Sequence, residues 1–269
     1  MLKVNEQTVP YQDGIRLKDL VDTYKPGADL FIVNGFPASS DTLLADGDIC
    51  CLIKRGETPT AEEMESLLVA RHTPGVHKIV QKASVGIMGL GGLGTVVAGA
   101  LARVGVGRLI LADFDVVEPS NLNRQQFFLG QVGTAKTEAL RENLSQINPF
   151  VDLEVHTVEL TPENVPVLFS GVQVVVEAFD RAEAKAMLID TVLKEMHGVA
   201  VVCASGLAGH GPANSIVTKR LARDLYVVGD EVTEARPGEG LMAPRVGVAA
   251  HHQANAVIRL LLGEDPLGK

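Results

Sequence analysis

The chain has 269 residues, 46% of them hydrophobic, with three cysteines and a formal net charge of −9. That length buries a full core as one large domain with a small one, and the acidic balance speaks against a nucleic-acid partner, which needs a basic face. Apolar runs such as 172–178 are too short to cross a bilayer, and Met1-Leu-Lys-Val-Asn5 reads as the start of a strand instead of a leader, so a cytoplasmic protein without membrane contact is expected. Cys50, Cys51 and Cys203 form no C-x-x-C pair and the histidines are scattered, so neither a disulfide framework nor a zinc site is expected.

Residues 1–56 read as a separate small domain with short strands and closely spaced turns. Leu2 to Asn5 turns back on Gln7 to Pro10, a helix over Leu17–Tyr24 follows from Leu17, Leu20 and Val21, and strands are expected at Leu30–Gly35 and Ile49–Ile53, the second after the turn Asp46-Gly-Asp48. This order, with Asn34-Gly35 after a central strand and Leu44-Ala-Asp-Gly-Asp48 before the last one, resembles the ubiquitin-like β-grasp fold of the ThiS-type sulfur carriers. Such carriers end in Gly-Gly, whose terminal carboxylate reacts. Here the last strand runs into Lys54-Arg-Gly-Glu-Thr-Pro59 and the chain continues, leaving no carboxylate there.

A helical linker is expected over 57–82. Thr60 caps it with Glu63 three residues on, and His72-Thr-Pro-Gly75 interrupts it before a short amphipathic segment, Val76 to Lys82. From residue 83 to 269 apolar runs alternate with helical patterns, which predicts an α/β domain with a doubly wound, largely parallel, Rossmann-like sheet. Its organising stretch is Ser84 to Thr95, an apolar run, a glycine turn and a helical run. Gly89, Gly91 and Gly94 have G-x-G-x-x-G spacing: the first permits the turn, the second lets backbone approach a phosphate, the third allows close helix packing. Asp113 ends the next apolar run, where an acid accepts hydrogen bonds from a ribose. These features serve an NAD(P)-dependent oxidoreductase as well as an ATP enzyme. Further on, helices are expected over Thr95–Val104, Gly133–Ile147, from Pro162, over Ala182–His197 and over Gly247–Leu262, with strands over Val151–Leu160, Val172–Ala178 and Val199–Ala204.

Asp113-Phe-Asp-Val-Val-Glu-Pro-Ser-Asn-Leu-Asn-Arg-Gln125 and Gly130-Gln-Val-Gly-Thr-Ala-Lys136, with Gly89-Leu-Gly-Gly-Leu-Gly94 and Ala178-Phe-Asp180, resemble the motif set of the ThiF/MoeB family, bacterial relatives of ubiquitin-activating enzymes. Ala204-Ser-Gly-Leu-Ala-Gly209 and Leu241-Met-Ala-Pro-Arg245 resemble a ThiF subgroup lacking the zinc cysteines. The resemblance implies adenylation of the C-terminal Gly-Gly of a sulfur-carrier protein by ATP and Mg²⁺, in a homodimer, with thiamine precursor synthesis the expected pathway. It places the backbone of Gly89, Gly91, Gly92 and Gly94 at the nucleotide, Asp113 at the ribose, and Asn121, Arg124 and Lys136 at the phosphates. Asp180 becomes the Mg²⁺ ligand, Asp115 a supporting group, and Arg71 the candidate for an arginine reaching the partner subunit's site. With no cysteine in the loops after Asp180, a thioester step on this chain is not expected, and the reaction stops at the acyl-adenylate. A non-catalytic carrier-binding scaffold is the remaining alternative.

Overall fold

Strands β1 (Leu2–Val4) and β2 (Gln7–Val9) form a hairpin, α1 (Lys18–Tyr24) follows, and β3 (Leu30–Val33), β4 (Phe36–Ala38) and β5 (Ile49–Ile53) complete a sheet of order β2-β1-β5-β3-β4. Only β1 and β5 run parallel, as a β-grasp sheet requires. Strand β4 was not among the expected elements. Asn34 and Gly35 both adopt positive φ, 52° and 81°, the two-residue turn that matches strand twist, and β4 lies at the sheet edge, where Pro37 is tolerated. One sheet face packs Val4, Cys50 and Leu52 with Leu17 and Leu20 of the α1 segment. The other carries Ile32, Cys51 and Ile53, against which Leu67 and Ala70 of α2 (Ala61–His72) pack.

Helix α2 opens with the expected capping box, the Thr60 hydroxyl accepting from the Glu63 N–H and the Glu63 carboxylate from the Thr60 N–H. A short helix α3 (Pro74–Val80) follows Thr73, whose φ is 70°. The computed structural model describes residues 1–268 and divides into two units, Met1–Ile79 and the residues from Val80 on. Most of the stretch read as a linker therefore clusters with the small sheet.

The second unit contains β6 (Ser84–Met88), α4 (Gly92–Arg103), β7 (Arg108–Asp113), α5 (Lys136–Ile147), β8 (Asp152–Thr157), α6 (Val165–Leu168), β9 (Val174–Glu177), α7 (Ala182–Glu195), β10 (Ala200–Ala204), β11 (Val217–Ala222), β12 (Leu225–Gly229) and α8 (Ala243–Leu261). The sheet order is β11-β12-β10-β9-β6-β7-β8, with β11 alone antiparallel to its neighbour. The chain winds outward from β6 through β7 to β8, then returns to β9 and winds the other way. That is the doubly wound arrangement expected, and its switch point lies between β6 and β9, where such sheets open a ligand crevice at the carboxyl ends of the strands.

Helices α6 and α7 cover one face over Met88, Ile110, Val175 and Val201, with Phe169 fully buried against Gly86. Helices α4 and α8 pack on each other, with α5 beside α4. Several expected boundaries move. Helix α4 starts at Gly92 and not at Thr95, so the glycines form its first turn. Helix α5 starts at Lys136, because Gly133 and Thr134 pair with Val117 instead. Pro162 lies in a turn before the single-turn α6, and Pro244, compatible with a first helical turn, lets α8 begin before Gly247.

Candidate nucleotide-binding site

The glycine loop sits at the end of β6. Gly89 has φ 93°, its N–H donates to the Ala112 carbonyl, and a Cβ there would stand 2.9 Å from the Ala178 carbonyl oxygen, so strand β9 leaves no room for a side chain. At Gly94 a Cβ would stand 1.9 Å from the Gly89 carbonyl oxygen, and at Gly92 it would stand 2.9 Å from Val246 and 3.3 Å from Arg124. Gly91 differs: the nearest atom to its virtual Cβ is the Gln125 amide nitrogen at 3.8 Å. Close packing thus demands glycine at 89, 92 and 94, whereas at 91 the backbone borders open space. Gly91 is the N-cap of α4, whose first N–H groups lack intrahelical acceptors and, with the helix dipole, favour an anion.

Asp113 fixes this loop to its neighbour. Its side chain accepts from the Leu90 N–H at 2.6 Å and from the Asp115 N–H at 2.8 Å, tying the β6–α4 turn to the segment after β7. Each oxygen keeps a lone pair for a ribose hydroxyl. Lys136, buried in the first turn of α5, pairs with the Asp115 carboxylate at 2.7 Å, and its N–H bonds the Asp115 carbonyl. Asp115 therefore orients both Asp113 and Lys136. Asn121 is buried and shapes its own turn, accepting from the Glu118 N–H at 3.0 Å.

Arg124 is half-buried beside Gly92, held by the Ser120 carbonyl at 3.3 Å and the Asn123 side chain at 2.9 Å, and it has no carboxylate partner among the described residues. Asp180 is exposed just past β9 and makes no hydrogen bond or ion pair among the described residues. The preceding residues, Ala178 and Phe179, border Gly89. The structure thus brings the glycine loop, Asp113, Asp115, Asn121, Arg124 and Lys136 into one connected patch, with Asp180 following the segment that borders it. Arg71 is exposed on α2 in the first unit. No group of three or more His, Cys, Asp or Glu is arranged as a cation cage among the described residues. A lone, unpaired carboxylate suits Mg²⁺, which takes one or two protein carboxylates and completes its shell with phosphate and water.

Sequence reasoning left two charged centres of this region without a role. Arg245, in the first turn of α8, is buried and bonds Asp230 at 2.6 Å, the Pro212 carbonyl at 3.0 Å and the Ser215 hydroxyl at 3.2 Å. It rivets the loops after β10 and β12 to α8, and the Asn123 amide joins them at the Leu241 carbonyl, 3.0 Å away. Burial is the largest influence on Asp230 and pushes its carboxyl up, but the Thr233 and Val232 N–H groups, the Thr233 hydroxyl and Arg245 together hold it below the usual carboxylate value. The second centre is Glu177, fully buried at the end of β9 and paired with Lys185 at 2.6 Å. Burial raises its pKa, opposed by Lys185 and the Phe179 N–H. The only sequence signal was Arg245 closing the Leu241–Arg245 motif, and an acid inside an apolar strand run at Glu177. Cys203 is buried, its thiol pushed up to about 11 mainly by burial.

A glycine loop opening a helix at the switch point of a doubly wound sheet, with a β-grasp unit earlier in the sequence, defines a nucleotide-binding α/β protein carrying a ubiquitin-like module. The ThiF family model matches residues 66–268, and a ThiS-like ubiquitin model matches residues 1–56. The chain belongs to the ThiF family. It is 32% identical over 182 residues to the adenylyltransferase and sulfurtransferase UBA4 of Yarrowia lipolytica, covering 66% of this chain and 45% of that protein. It is 48% identical over 82 residues to ubiquitin-like modifier-activating enzyme 5 of Arabidopsis thaliana, covering 30% of this chain and 19% of that one. The chain therefore spans less than half the length of these relatives. Among solved structures, E. coli tRNA N6-threonylcarbamoyladenosine dehydratase in complex with ATP superposes with TM-score 0.66 at 23% identity, over 77% of this chain and 98% of that one. E. coli MccB with ATP superposes with TM-score 0.57 at 22% identity, over 80% and 67%. At these identities the likeness concerns the fold.

Proposed function

We propose that this protein is an adenylyltransferase that activates the C-terminal Gly-Gly carboxylate of a small β-grasp sulfur carrier at the expense of ATP, in thiamine precursor synthesis. The observation that carries the reading is the pair of uncompensated charges at the switch point, Arg124 and Asp180, beside open backbone at Gly91. An arginine serves the phosphates of a dinucleotide as well, but a second, free carboxylate facing them would repel unless a metal ion lies between, and a triphosphate with Mg²⁺ satisfies both charges. The carrier carboxylate attacks the α-phosphorus and pyrophosphate leaves. The N–H groups opening α4 and the forked Arg124 guanidinium bear on the phosphate charge, and Lys136, held by Asp115, adds a point charge. Mg²⁺, held by Asp180, would neutralise the phosphates and orient the leaving group.

The first unit is not the substrate in this reading. Gly56 is internal to the chain, and the sheet face opposite α1 is covered by α2. A homodimer accounts for the exposed apolar side chains of Phe114, Val116, Phe128, Leu129 and Val132, all in the segment joining β7 to α5. ATP–pyrophosphate exchange tests the proposal: it should require Mg²⁺ and a Gly-Gly-ended carrier and vanish with a carrier lacking its last two residues. Nicotinamide reduction instead would mark an oxidoreductase, and carrier binding without exchange a scaffold.

A further inference from the structure

Strands β9 and β10 pair from Val174 to Val176, and the register stops there, although β9 continues to Glu177 and β10 to Ala204. Side chains bridge the place where the backbone ladder ends. The Lys185 ammonium, on α7, donates to the Glu177 carboxylate at 2.6 Å and to the Ala204 carbonyl at 2.9 Å. The Gln253 amide, on α8, donates to the Glu177 and Val202 carbonyls at 3.2 Å each. The second Glu177 oxygen accepts from the Phe179 N–H at 2.7 Å, bending the chain immediately before Asp180. Glu177 is fully buried, and a buried carboxylate persists only where its partners are fixed.

We infer that Lys185 and Glu177 are positioning residues that aim Asp180 at the nucleotide's metal ion, the Lys185 bridge holding the β9 end apart from β10 and Glu177 setting the turn that follows. The inference rests on the assignment of Asp180 proposed above. It explains why a buried carboxylate with its partly exposed ammonium partner lies at this strand end, and why an acid interrupts the apolar run of β9: an apolar pair would fill the space without gripping both the Phe179 N–H and the Ala204 carbonyl. Neither residue is assigned contact with the reacting atoms.

The test uses the full-length protein and compares its affinity for ATP with and without Mg²⁺ by titration calorimetry, for wild type, Lys185→Met, Lys185→Arg, Glu177→Gln and Asp180→Ala. Substituting groups that orient metal ligands typically weakens metal binding about 10- to 100-fold. Lys185→Met and Glu177→Gln should therefore lose at least about tenfold of the Mg²⁺-dependent gain in affinity, with metal-free ATP binding unchanged. Lys185→Arg, whose guanidinium can reach both acceptors, should recover most of that gain, and adding Lys185→Met to Asp180→Ala should cost nothing further. Variants that melt earlier yet keep the full Mg²⁺ gain would show a purely structural pair and overturn the inference. If wild type shows no Mg²⁺ gain, the assignment of Asp180 itself fails, which is a separate outcome.

Discussion

The glycine loop offers a sharp separation of packing from binding, through the pair Gly91→Ala and Gly94→Ala. At Gly94 the new methyl would meet the Gly89 carbonyl oxygen at 1.9 Å, a backbone atom that cannot rotate away. Such overpacking costs about 1–3 kcal/mol or more, offset by the roughly 1 kcal/mol that alanine gains over glycine inside a helix. A net loss of about 2 kcal/mol lowers the melting temperature of a unit this size by roughly 4–8 °C. At Gly91 the methyl meets nothing closer than 3.8 Å, and the backbone is extended at φ −85°, so the fold loses at most about 1 kcal/mol, the cost of a poorer N-cap. Yet the methyl fills the space a phosphate would occupy, and ATP affinity should fall at least about tenfold, or 1.4 kcal/mol. Calorimetric ATP titration beside thermal unfolding reads both quantities. Wild-type ATP affinity in folded Gly91→Ala would refute the placement of the phosphate at this loop.

Three further outcomes follow from the same geometry. Arg124→Ala removes only two polar contacts of a half-buried side chain, so melting should hardly move while carrier-dependent exchange falls about 100-fold or more, the usual cost of losing one charge-stabilising donor; near-normal exchange would take Arg124 out of the site. Asp230→Asn leaves Arg245 buried without its counter-charge and should destabilise the second unit by about 3 kcal/mol at neutral pH, measured by urea unfolding. Because the folded carboxyl of Asp230 lies below its unfolded value, its contribution is fully present above about pH 4 and fades as the pH falls through the folded value, so the variant should show a flatter acid limb. Cys203 and Cys50, both buried with thiols pushed up to about 11, should resist alkylation at pH 8 until the protein is unfolded; rapid native labelling of Cys203 would reopen a thioester role for this chain.

Much of the frame was legible because its signals are local. Continuous apolar runs gave β6, β7, β9 and β10, strict alternation gave β8, and the Thr60–Glu63 capping box marked the first residues of α2. Strand β4 was missed although Asn34-Gly35 announces a hairpin, because Pro37 in a three-residue run argues against a strand unless it lies at an edge. Strand β11 was missed because it is exposed and carries Lys219 and Arg220, so it shows little apolar pattern, whereas β12 is a buried apolar run that was legible and went unread. The packing of α2 on the small sheet was illegible for a different reason: its Leu67 and Ala70 meet residues of β3 and β5 distant in sequence. At the site, spacing pointed to Asp113 and the family resemblance to Arg124 and Lys136, but sequence does not tell a glycine needed for packing from one needed for a ligand. Only the close approaches around Gly89, Gly92 and Gly94 separate these from Gly91. The partners of Glu177 and Arg245 likewise come from loops and helices that only the fold assembles.

On the proposed chemistry the chain makes an acyl-adenylate on a carrier and no covalent bond to itself. Intact-mass spectrometry after brief incubation with Mg²⁺, ATP and a Gly-Gly-ended carrier, with inorganic pyrophosphatase present, reads both products at once. A carrier heavier by one adenylyl group and an unmodified activating protein are expected. An unchanged carrier, or a carrier joined to a cysteine of this chain, would contradict this chemistry.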